Sequence, residues 1–323
     1  MSAPAAPDSR AALAAAVLCY AFWGLVPLFF LLISRMGAGP LEIMGHRTLW
    51  ALPAALLLVL FASQASEVAR VLRERRTMLW LAASSTLIVV NWLTFTWAVT
   101  ENRILETSLG YYLNPLLNMA AGAVLFRERM DGFGKAAIGL AAVGVVLQAV
   151  AIGHLPFVSL ILAFSFCAYG IVRKRVAASA QTGLFVECLY FLPFSLAYIW
   201  WLEQSGGGHF LQGLTLPLLL ALGGPVTAIP LALFSWAARR LPYSTMGFIQ
   251  FLAPTISFFV GVASGESFTP LRALSFGFIW AGAAVFAWGA WRALRKRTDD
   301  ARAESHAAAG GEIDGEIVKA EVK

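Results

Sequence analysis

Apolar residues run along this chain in long blocks broken by short polar connections. Ten blocks stand at roughly 11–33, 42–62, 78–99, 104–126, 133–152, 155–172, 183–202, 214–238, 243–264 and 271–291. Most approach the roughly 20 residues that a helix needs to cross a bilayer. The first block is too long for the core of a signal peptide and lacks a clear cleavage site near its end, so it reads as a retained span. The pattern predicts an all-α polytopic membrane protein of ten transmembrane helices. Residues 1–10 form a short N-terminal tail. Residues 293–323 are charged, then rich in Ala, Gly and Glu, and predict a disordered cytoplasmic tail.

Composition agrees with the blocks. Of 323 residues, 59% are hydrophobic and 13% charged, against about 45–50% and 25% in soluble domains. The net charge of +6 does not indicate nucleic acid, because the basic residues sit in short clusters between apolar blocks. Alternate connections from Arg10 to Arg297 carry 17 Lys and Arg, and the opposite set holds only Arg35, Arg103 and Arg272. Positive charge stays in the cytoplasm, so both termini are expected there.

The two halves resemble each other. At a shift of 139, Trp97-Ala98 matches Trp236-Ala237, Pro115 matches Pro254 and Gly122 matches Gly261. After a one-residue gap, Glu128 matches Glu266 and Gly144 matches Gly282. This predicts two five-helix repeats, 11–152 and 153–292. Five is odd, so the second copy enters the membrane inverted. The connections agree, since Arg127-Glu128-Arg129 inside corresponds to Gly265-Glu266-Ser267 outside.

Chemistry concentrates in the fourth block. Glu106, Gly110, Asn114 and Asn118 recur every fourth residue and share one helix face, beside Pro115, which lacks an N–H. Such a stripe is costly in lipid and should face protein or a water-filled cavity. The plainer reading is that the asparagines join helices and the proline kinks one. The equivalent ninth block puts Gln250, Pro254 and Ser257 on one face, and the third carries Asn91. Asn91, Tyr112, Asn114, Asn118, Gln250 and Ser257 are the candidate substrate-cavity residues, and Pro115 and Pro254 the candidate helix breaks. Arg47 lies ~8 Å below the outer surface at 1.5 Å per residue, with Glu106 at similar depth. The two are expected to face each other or a substrate, the alternative being that Arg47 snorkels to headgroups. His46, one turn from Glu42, could carry a coupling proton. His46, Arg47 and Glu106 are therefore the candidate gate or coupling residues.

No GxxxxGK[ST], HExxH or GxSxG motif is present, which argues against ATP hydrolysis and against zinc or serine hydrolases. Cys19, Cys167 and Cys188 lie inside apolar blocks without CxxC spacing, so neither a disulfide framework nor a metal site is expected. No cofactor is called for, and no enzyme activity.

Several stretches carry a family resemblance: Tyr20 to Gly24, Pro27 to Phe29, Glu42 to Arg47, Asn91-Trp92, Glu106 to Pro115, Arg127 to Arg129, Leu241 to Gln250 with Pro254, and Ser275 to Trp280. In this order, over about residues 11–291, the chain resembles the RarD proteins of the EamA group in the drug/metabolite transporter superfamily. The resemblance implies a ten-helix permease of the bacterial inner membrane, with two inverted five-helix repeats around a central cavity. RarD proteins are commonly labelled chloramphenicol-sensitivity or resistance permeases, and their relatives export amino acids, other metabolites or drugs.

The functional expectation is a secondary transporter of small metabolites or drug-like solutes working by alternating access. Alternatives are a sugar- or lipid-linked metabolite transporter of the same superfamily and a non-transporting membrane scaffold. Expected partners are a small-molecule substrate and membrane lipid, with proton coupling and a homodimer allowed and no nucleic acid.

Overall fold

The structure is a computed structural model that describes residues 7–125, 131–238, 240–241, 245–246, 249–289, 291–292 and 295. Among these there is no strand. Eleven helices are used below: α1 (Pro7–Arg35), α2 (Pro40–Phe61), α3 (Ala65–Arg73), α4 (Arg75–Thr100), α5 (Ile104–Leu125), α6 (Gly132–Ile152), α7 (Phe157–Arg173), α8 (Ala180–Gln204), α9 (Thr215–Ala238), α10 (Leu252–Ala263) and α11 (Pro270–Gly289). Seven of them (α1, α2, α4, α6, α8, α9 and α11) are long and apolar enough to cross a membrane.

Local chemistry sets the helix ends. Pro40 opens α2, where a missing N–H costs nothing. Asp131 caps α6 by accepting from the Gly134 amide at 2.8 Å. Gly153 closes α6 in the left-handed region at φ +76°, a conformation cheap only for glycine. The sequence reading missed α3, a short helix with one apolar edge, because its Arg and Glu residues read as a charged connection.

The two halves interlock. Helix α1 packs on α9 and α10, while α7 packs on α4 and α5; α2 packs on α8 and α9, while α8 packs on α2 and α4. Small residues permit the close approaches. Gly110 of α5 faces the Ser159 carbonyl of α7, and Gly24 of α1 faces the Ala253 carbonyl of α10. Ser159 donates to the Glu106 carbonyl at 2.7 Å, and Ser257 donates to the Gly24 carbonyl at 3.2 Å. Helices α6 and α11 cross reciprocally. A Cβ on Gly144 would meet Ser275 and Ile279, and one on Gly282 would meet Ala137 and Ala141.

Packing differs between the two ends. The largest apolar cluster, with Phe30, Ile33, Ile43, Phe95, Ile104 and Leu162 at its centre, sits at the end carrying the 36–39, 101–103 and 205–214 connections. This is the end that the charge pattern predicts to be outside. Farther down the bundle, Trp23, Trp92, Tyr169, Leu231 and Phe234 are only half-buried.

Candidate functional site

The site is built where α2 meets α9. Gly224 of α9 lies against the Trp50 carbonyl with no room for a Cβ, and Gly223 lies beside Arg47. This backbone contact turns the Arg47 side chain inward. Its Nε donates to Thr227 Oγ1 of α9 at 2.9 Å. Its guanidinium lies 4.1 Å from the Trp92 ring centre of α4 and 5.4 Å from that of Phe30 of α1. Tyr111 of α5 and Cys188 of α8 are electrostatic neighbours. Five other helices thus surround it, so the 9% of Arg47 left accessible opens into the bundle. Nη1 is buried without a hydrogen-bond partner. An uncompensated charge at this depth costs about 2.5–3.5 kcal/mol on insertion scales. A desolvated cation–π contact returns ~2 kcal/mol, and one hydrogen bond from a charged group about 1.5–3. The site is tolerable, but its charge is unneutralised.

A second buried charge stands at the equivalent place in the other half. Arg47 lies seven residues after the start of α2, and Glu187 seven after the start of α8. Glu187 accepts from Ser84 Oγ at 2.6 Å and from the Tyr169 hydroxyl at 3.3 Å, and Arg173 Nη1 lies 3.8 Å away. Tyr169 and Phe30, which flank the two charges, are 139 positions apart, and the charges 140.

The expected Arg47–Glu106 pair does not form. Glu106 takes a two-pronged contact from Arg103, at 2.7 and 2.9 Å. Arg103 stands three residues away, within easy helical reach, whereas Arg47 is held against α9. His46 is 1% exposed and stacks on Phe210 at 4.5 Å, with neither ring nitrogen hydrogen-bonded. Glu42, one turn earlier, instead accepts from the His209 amide and ring at 2.8 and 2.9 Å. The 205–214 connection thus covers this end, with Phe210 beside His46 and Trp50.

The amide stripe divides. Asn91 donates to the Leu162 carbonyl and Ser165 Oγ at 2.9 and 3.0 Å, and accepts from Tyr111 at 3.3 Å. It fastens α4 to α7 and orients Tyr111 beside Arg47. Tyr112 bonds Thr255 Oγ1 at 2.6 Å and joins α5 to α10. Asn114 is buried with its Oδ1 unpartnered, while Asn118, one turn on, is exposed. Gln250 is half-buried and sits in a turn. Pro115 lies inside the continuous α5. Pro254 lies in the first turn of α10, just after the turn at 250–251, and its carbonyl accepts from Ser108 at 2.6 Å. The two prolines are equivalent in sequence, yet only the second sits at a break. Glu128 falls outside the described residues.

Two carboxylates outside the spans fasten one half to the other. Glu266, in the connection between α10 and α11, accepts from the Ile104 and Leu105 amides that open α5. Burial pushes its carboxyl up to about 7, against the opposing pull of those amides and of Arg272, with Glu106 adding to the rise. At the other end Glu67 of α3 binds Ser179 and Thr182. Burial alone would raise its carboxyl, but those hydrogen bonds and Arg70 together hold it below the usual range.

Residues 10–150 match the EamA-like transporter family. Protein RarD of Salmonella typhi is 39% identical over 294 residues, covering 90% of this chain and 99% of that protein. The chain belongs to the RarD group of the EamA family. RarD of Escherichia coli K12 is 38% identical over 87% of this chain and 95% of its own length. A chloramphenicol-sensitive protein RarD of Pseudomonas aeruginosa is 30% identical over 88% and 95%. A crystal structure at 20% identity and TM-score 0.56, covering 88% of this chain and 98% of its own, shares the fold. With its apolar helices, the RarD membership makes this chain a multi-pass inner-membrane transporter of the drug/metabolite superfamily, a group of transporters rather than enzymes.

Proposed function

We propose that the chain is a secondary transporter working by alternating access, with ten spans arranged as inverted repeats 11–152 and 153–292 between a short N-terminal tail (1–10) and a cytoplasmic C-terminal tail (293–323). The spans are α1, α2 and α4 to α11, with α3 lying at the cytoplasmic surface. The observation that carries this reading is reciprocity. When α1, α2, α4, α5 and α6 are exchanged for α7, α8, α9, α10 and α11, each major pairing between halves maps onto another or onto itself. The mutual seating of Gly144 and Gly282 is its sharpest instance. A bundle of this symmetry has two packings available, one sealing each end.

The solute chamber lies below Arg47, among the half-buried aromatics Trp23, Trp92, Tyr111 and Phe234 and the unpartnered Asn114 oxygen. The tight apolar cluster and the 205–214 connection close the outer end, so this is the inward-facing or occluded arrangement. Arg47 and Tyr111 hold the solute, and Asn91, Tyr112 and Ser257 set the helices around it. Counterflow of chloramphenicol and of amino acids into reconstituted vesicles, with and without a pH gradient, tests the reading. Saturable exchange that stops on cross-linking 205–214 to α2 is expected. Wild-type flux equal to that of empty vesicles for every solute would leave a scaffold, with the polar residues acting only as helix glue. Membrane-impermeant labelling of a cysteine placed after Trp291 from outside intact cells would overturn the orientation.

A further inference from the structure

The three buried carboxylates among the described residues each have a cationic or histidine partner: Glu42 has His209, Glu106 has Arg103 and Glu187 has Arg173. Arg47 is the buried cation, and no described carboxylate lies within ion-pair distance of it. The repeat shows what is missing. Glu187 receives its counter-ion from Arg173, and the residues 139 and 140 positions before Arg173 are Ser34 and Ile33, neither of them charged. The first half therefore has a buried charge of the opposite sign and a flanking aromatic ring but no counter-ion. Thr227 fixes one edge of the guanidinium and leaves Nη1 unbonded. Trp92 covers a face.

The geometry points to Arg47 as the anchor for an anionic planar group on the transported solute, a carboxylate or similarly delocalised anion borne beside an aromatic ring. This rests on the transporter reading above and names the solute's chemistry. A neutral carbonyl would satisfy Nη1 but leave the charge uncompensated. An anion does both, and the guanidinium fork suits a two-oxygen acceptor. The adjoining ring stacks among Trp92, Phe30 and Tyr111. Because the counter-charge arrives with the solute, the empty site is the strained one, and binding relieves it.

The test uses the full chain, purified in detergent and reconstituted, with two matched probe pairs: benzenesulfonate against benzenesulfonamide, and N-acetylphenylalanine against its amide. In tryptophan-quenching titrations the anion of each pair should bind at least tenfold tighter than its neutral partner. Arg47→Met should abolish that preference. Arg47→Lys should keep part of it, retaining charge but losing the fork. Thr227→Val, which leaves the charge in place but frees its orientation, should reduce it at least threefold and keeps the inference testable should Arg47→Met not fold. Equal binding of anion and amide, absence of anion binding, or a preference surviving Arg47→Met or undiminished in Thr227→Val overturns the inference. If the anions bind through Arg47 but do not exchange across vesicles, the anchor stands and the transport reading falls. If the anions exchange equally through wild type and Arg47→Met, transport stands and the anchor falls.

Discussion

Glu187 and Arg47 occupy matching positions in the two halves, and their surroundings are opposite. Glu187 is met by two hydroxyls and a guanidinium from α4 and α7. Arg47 is met by one hydroxyl and aromatic faces. Burying a charge is expensive at either place; neutral partners can offset the cost, but only an opposite charge neutralises it. The Glu187 group therefore behaves as structure, a clasp joining α4, α7 and α8. The Arg47 group is incomplete by one negative charge. The one is a finished pair and the other an unfinished one.

Stability measurements on variants can break this comparison. Glu187→Leu strands Arg173 in the interior and should destabilise the detergent-solubilised protein by about 3–5 kcal/mol, with Arg173→Leu in the same chain restoring most of the loss. Thermal unfolding followed by tryptophan fluorescence reads both. Arg47→Met should change stability far less, by about 1 kcal/mol or under, because the Trp92 contact and the Thr227 bond it loses roughly offset the burial cost it removes, while Thr227 keeps its bond to the Gly223 carbonyl. A destabilisation comparable to that of Glu187→Leu would mean that Arg47 has a counter-charge after all.

Glu266 sharpens the contrast at the connections. Its carboxyl titrates about 7 in the folded protein against an ordinary value of 4.5, so the folded state holds the proton more tightly than the unfolded one. Stability from this group is greatest below the ordinary value and falls as pH rises from there to about 7. Glu266→Gln should flatten that slope, an effect of at most about 1 kcal/mol because solvent screens a half-exposed carboxyl. A wild-type midpoint unchanged between pH 5 and 7.5 would contradict it. An effect of similar size is expected from Asn91→Leu, about 1.2 kcal/mol for its two bonds to α7 at about 0.6 each, the usual size between membrane helices. A larger loss of solute binding than of stability would mark Asn91 as acting through Tyr111.

Much of this was legible in the sequence, and the rest failed for physical reasons. The blocks located the helices, since hydropathy is nearly the whole requirement for lying in a bilayer. Arg47 stood out because a charge in an apolar block is rare. Its neighbours did not, because Thr227, Phe30 and Tyr111 are ordinary residues in apolar helices and only the packing of α2 on α9 brings them near. The Arg47–Glu106 pairing went wrong because equal depth says nothing about azimuth, and Arg103 was nearer to Glu106 along the chain. Asn91 stands out as a polar residue in an apolar block and so reads as a cavity residue, but periodicity does not reveal that Ser165 and the Leu162 carbonyl take up its amide.

The turn at Gln250 and Phe251 carries one more implication. A helix interrupted inside a bilayer exposes carbonyl and amide groups that hydrocarbon cannot solvate, and both residues here are only half-buried. The Gln250 amide finds the Met246 carbonyl, and the Phe251 carbonyl takes both the Thr255 amide and its hydroxyl, so the turn is mended from within, and any group it leaves over would draw water on the second half. Moisture admitted along one wall and excluded along the other would give the passage a lopsided polarity, with ions and dipoles drawn down the α10 side.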